Sequence, residues 1–116
     1  MAAINGLAWM ETDEALDLLR VSSDNLPIIE QLAASVPAHI EATTGYPAED
    51  TQGGGCHELV KQLARFTLQL WYNPDGTDAA AQTRVIESLQ KSVSSLVSVG
   101  YLPHVDPSTR DLFEYE

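Results

Sequence analysis

Two amphipathic stretches flank the segment Thr43-Thr44-Gly45-Tyr46-Pro47, and this stop constrains the chain more than any other feature. Glycine just past a helical pattern can take the left-handed conformation that closes a last turn, and proline cannot continue the helix. Before the stop, Ile29, Leu32, Val36 and Ile40 recur at helical spacing, with Ile28 and Ala33 widening the face. After it, Leu59, Leu63, Phe66 and Leu70 form one stripe, and Val60, Thr67 and Trp71 form a second beside it. An apolar face that wide belongs to a central helix contacted from two sides. The chain therefore reads as a helical bundle built around its third long segment.

Four helices are predicted, over residues 12–20, 25–44, 56–72 and 78–97. The first opens with Thr12 as N-cap and with Asp13 and Glu14 in its first turn, where negative charge suits the helix dipole. In the second, Pro27 sits in the first turn, where its missing donor costs nothing. Pro37 falls in the interior, at a cost of about 3 kcal/mol, and predicts a kink because the apolar phase continues from Val36 to Ile40. Lys61 and Arg65 lie one turn apart on the wetter side of the third helix. Asn73-Pro74-Asp75-Gly76 is a turn. The fourth helix holds its phase through Val85, Leu89, Val93 and Leu96; the alternation from Val93 also fits a strand, so its end stays open until Gly100. Residues 46–55 read as a polar loop. The expected architecture is all-α: a small bundle of about four helices, with a helical domain over 1–102 and an extended C-terminal tail over 103–116.

Composition narrows the function. A chain of 116 residues with 44% hydrophobic content is sized for one folded domain. No run approaches a membrane span, and the first residues lack a basic, apolar secretion signal, so a cytosolic start is expected. The single Cys56 rules out an intrachain disulfide and reads as a small residue at a helix start. The formal net charge of -11 opposes tight binding to phosphates, which requires clustered cations. Such a charge keeps a protein soluble, and it can also line a passage through which a polyanion slides without sticking.

No motif supplies chemistry. His57-Glu58-Leu59-Val60-Lys61 opens like a zinc-protease helix but has Lys where the second histidine ligand must stand. His39, His57 and His104 show no ligand spacing. Gly53-Gly54-Gly55 lacks both the preceding strand and the Gly-Lys-Ser/Thr ending of a phosphate loop. The expectation is a protein that is not an enzyme and carries no cofactor and no metal. Interface candidates are Trp9, which no periodic pattern assigns to the core, and Tyr46 at the head of the loop. Tyr72, at the rim of the third helix, joins them with Phe113 and Tyr115 in the tail. Trp71, in phase with Val60 and Thr67, reads as core.

The order of these elements is similar to a known pattern. A short helix opens Thr12-Asp13-Glu14-Ala15 and closes Leu18-Leu19-Arg20-Val21; a longer one ends Thr44-Gly45-Tyr46-Pro47; a third ends Leu70-Trp71-Tyr72. Over residues 9–74 this resembles the head–tail connector (adaptor, or head completion) proteins of tailed bacteriophages. Pro37, the Gly53–Gly55 loop and the acidic tail depart from that pattern. The resemblance implies a structural subunit that self-associates as a ring, a dodecamer in the virion, beneath the portal protein after DNA packaging. The ring would extend the DNA channel without binding DNA specifically and dock the next connector, stopper or tail protein. It further implies residence at the head–tail junction of the virion, in the host cytoplasm before assembly, and no membrane. The alternative is an acidic helical interaction module, such as a DNA-mimic inhibitor, binding a basic protein.

Overall fold

The computed structural model describes residues 3–4, 6–53, 55–76 and 78–103. The fold is predominantly helical, as the periodicity predicts. A two-stranded antiparallel hairpin, β1 (Ala3–Ile4) and β2 (Leu7–Glu11), leads into α1 (Thr12–Leu19). A 3-10 turn at Ser23–Asn25 precedes α2 (Leu26–Thr44), followed by α3 (Ala48–Gln52), α4 (Glu58–Tyr72) and α5 (Ala79–Ser98).

The hairpin was not anticipated. Gly6 makes its turn at φ 98°, and a Cβ there would stand 2.7 Å from the Ala34 Cα. The backbone of the turn therefore rests directly on α2, which a residue with a side chain could not do. Leu7 and Met10 are fully buried behind it.

α1 starts at Thr12 itself, so the expected cap is the first helical residue, and Glu11 occupies the cap position without a side-chain bond. The helix closes on Arg20 at φ 57°, ψ 47°, with the amides of Arg20 and Val21 donating to the carbonyls of Asp17 and Leu16. That closure ordinarily uses glycine. α2 runs unbroken across Pro37, which is buried. Burial of Pro37 itself, beside Val36 and Ile40 of the apolar cluster, offsets the lost backbone bond. Gly45 ends α2 at φ 83° with its amide on the Glu41 carbonyl, as the stop predicts.

The polar loop expected over 46–55 contains α3. Pro47 sets its entry, Glu49 and Asp50 occupy its first turn, and Glu41 Oε1 accepts from the Ala48 amide at 2.9 Å. Thr51 is fully buried, with its hydroxyl donating to the Pro47 carbonyl. α4 begins two residues later than expected, because His57 is its cap: Nδ1 accepts from the Leu59 amide at 3.1 Å. α5 stays helical through Ser98, which excludes the strand alternative, and ends at Gly100 with φ 82°. The Tyr101 amide reaches the Leu96 carbonyl and the Gly100 amide that of Val97, so Gly100 closes this helix with the same bond pattern that Arg20 closes α1.

Two apolar clusters hold these elements. One joins the second half of α2 to α4 and α5 through Val36, Ile40, Val60, Leu63, Ile86, Val93 and Val97. The other joins the hairpin and α1 to the first half of α2 and the end of α4 through Ile4, Leu7, Met10, Ala15, Ile29, Ala33 and Leu68. Both long helices α2 and α4 run through both clusters, and Trp9 packs against each.

Candidate functional site

Trp9 lies at the junction of four elements. Its indole N–H donates to the Thr51 carbonyl on α3 at 2.7 Å. Lys61 Nζ and Arg65 Cζ from α4 lie 5.8 and 5.2 Å from its ring centroid, and Arg65 Nε pairs with Glu14 Oε2 of α1 at 3.2 Å. The sequence places Lys61 and Arg65 on a free wet face; the structure folds both over an aromatic ring, where cation–π attraction holds them. Trp9 is thus a fastening point inside the monomer, with its polar atom already committed.

Tyr46 is 2% exposed, so its side chain is not offered to a partner. The His57 amide donates to its hydroxyl at 3.2 Å, tying the end of α2 to the start of α4. Burial raises its pKa. Beside it, Cys56 is buried and its thiol is pushed up to about 11, mainly by burial and against the pull of Lys61. A thiol so protonated is a poor nucleophile at neutral pH, since the thiolate is the reactive form. Tyr72 is half-buried against the hairpin cluster. Trp71 is half-buried against the α5 cluster, with its ring edge-on to His39 at 5.1 Å. Phe113, Tyr115 and His104 lie outside the described residues.

Among the described residues, two clefts open to the surface stand out. One of about 510 Å³ lies between the ends of α1, α4 and α5, lined by Asp17, Arg20, Gln69, Tyr72, Asp78 and Gln82. The other, about 500 Å³, lies between the end of α2 and α5, lined by Thr43, Glu87, Gln90, Lys91, Ser94 and Ser95. Neither brings a nucleophile onto a base. Among the described residues no three metal-ligating side chains converge, and no helix is long and apolar enough to cross a membrane.

Charge is unevenly distributed along the chain. Residues 3–58 carry ten acids and one base, Arg20; residues 59–103 carry three acids and four bases. Because Lys61 and Arg65 are folded over Trp9, the cations left facing outward in the second half are Arg84 and Lys91 on α5. This division is present in the sequence. It lies in the acids, which are the residues that cluster.

No family model, curated protein or solved structure matches the chain.

Proposed function

We propose that the protein is a head–tail connector (adaptor) subunit of a tailed bacteriophage, a non-catalytic building block of the ring beneath the portal. The observation that carries this reading is where the helices end. α1 closes at Arg20-Val21, α2 at Gly45 before Tyr46-Pro47, and α4 at Tyr72 before Asn73-Pro74. These are the positions on which the resemblance to that family rests.

The acidic surface supports the same reading. Repeating a subunit of formal net charge -11 around a ring makes an assembly that repels a DNA backbone, so DNA traverses the lumen without adhering. In this role the ring self-associates by cyclic symmetry, meets the portal on one side and presents the next connector or tail protein with a docking surface on the other. Its place is the head–tail junction of the virion, reached from the host cytoplasm.

Electron microscopy of the purified chain mixed with the portal protein of the same phage tests the proposal. A ring of added density beneath the portal is the expected result; portal particles without added density overturn it. A second reading, an acidic module that mimics DNA and binds a basic protein, draws on the ten acids and one base of residues 3–58. It predicts that affinity capture recovers a nucleic-acid-binding enzyme and that portal is not retained.

A further inference from the structure

The outer side of α5 is exposed along its length, as is that of α2 through Pro27, Ile28, Gln31, Ser35, Ala38 and Ala42. Ala81, Arg84, Val85, Ser88, Lys91, Ser92, Ser95, Ser98 and Val99 are all exposed, and their three- and four-residue spacing places them on one stripe. Its middle is small, which lets another helix approach closely. Its charged members are Arg84 and Lys91, seven residues or about 10 Å apart along the axis, and neither forms an ion pair among the described residues. With Glu87 the helix carries a formal charge of +1. Val99 and Tyr101, 78% and 74% exposed, extend the stripe into an apolar end.

α1 is the opposite in charge. Asp13, Glu14 and Asp17 stand on it, Glu14 paired with Arg65, with Glu11 before it and exposed Arg20 at its C-terminal cap, and Asp13 and Asp17 are exposed one turn apart. The two helices pack into different clusters, α1 through Ala15 with the hairpin and α5 through Ile86, Val93 and Val97. One molecule therefore presents two helix surfaces of opposite charge, whose ends, at Asp17 and Gln82, line one cleft.

We infer that the outer stripe of α5 docks on the acidic face of α1 of a second copy, Arg84 and Lys91 meeting Asp13 and Asp17. The occupant follows from charge: in a chain with 17 acids and 6 bases, the stripe of α5 holds Arg84 and Lys91, two of the three exposed cations among the described residues, and the face of α1 carries the acids they attract. Because the two surfaces differ, the contact is heterologous and propagates head to tail until rotation closes it into a ring. The pairing specifies the subunit contact of the connector ring and rests on that reading.

Paired charge reversals test it. One variant carries Arg84→Glu with Lys91→Glu, the other Asp13→Lys with Asp17→Lys, all four at exposed positions. Sedimentation of the wild type, of each variant and of their mixture is followed over a concentration series, alone and with purified portal, with circular dichroism confirming helix content. The wild type associates. Each variant alone associates at least about tenfold more weakly. The mixture recovers, because the reversed α5 of one variant matches the reversed α1 of the other and alternating copies close the ring. Variants that assemble like the wild type, or a mixture that fails to recover, overturn the pairing while a portal-bound wild type leaves the connector reading standing. A wild type that neither self-associates nor binds portal overturns both.

Discussion

The α5 cluster and the hairpin cluster bury side chains equally well but are specified differently. In the first, Val60, Leu63, Ile86, Val93 and Val97 come from helices whose periodic pattern already points them inward. In the second, Ile4, Leu7 and Met10 come from short strands that depend on one glycine touching another helix's backbone. Helix phase tolerates small adjustments along its length; a turn with no room for a Cβ does not. Stability in the first region is spread over many contacts, and in the second it hinges on a few.

The largest effect should come from the shared helix. Leu63→Ala empties a fully buried site in the α5 cluster and should cost about 2–5 kcal/mol of unfolding free energy, read as a lower urea midpoint with unchanged slope. Gly6→Ala should cost about 2–3 kcal/mol, because alanine meets both the positive φ and the Ala34 backbone. Its signature is local: hydrogen exchange should accelerate in the hairpin and α1 and stay slow in α5. Uniform acceleration would mean that the two clusters are one cooperative unit.

Trp9→Phe keeps an aromatic ring but strands the Thr51 carbonyl, at a cost of about 1–2 kcal/mol. Because α3 shields the segment leading to Cys56, thiol labelling in native buffer should speed up in this variant. Unchanged labelling would show that Trp9 does not hold α3. Two changes should stabilise. Thr67 Oγ1 is buried without a partner, so Thr67→Val, which keeps the shape and removes the orphan hydroxyl, should gain about 1 kcal/mol. Arg20→Gly should gain about 0.5–1 kcal/mol by relieving the left-handed conformation that ends α1. Both are read as a raised thermal midpoint.

Legibility in the sequence follows the same divide. The spans of α2, α4 and α5 and the Gly45 and Gly100 stops were readable because period and end signals agree there; the phase expected for α5 is turned, since Ile86, Val93 and Val97 are buried while Val85 is exposed. The hairpin was missed: its strands are too short to show alternation, although Asn5-Gly6 between apolar residues is a hairpin turn signal. α3 was missed because its five polar residues carry no period, and what makes it a helix is distant, namely Glu41 on the Ala48 amide and Trp9 on Thr51. Trp9 and Tyr46 were singled out as interface candidates, and the structure instead commits their polar atoms internally. An aromatic residue outside a helical phase marks a tertiary fastening as readily as an interface.

The proposed role rests on the chain being an assembling subunit with two unlike faces. Native mass spectrometry of the portal protein with and without the chain measures this most directly. The account predicts a portal particle heavier by a whole number of 12.6 kDa subunits in a single closed complement. A portal mass unchanged by excess chain would contradict it.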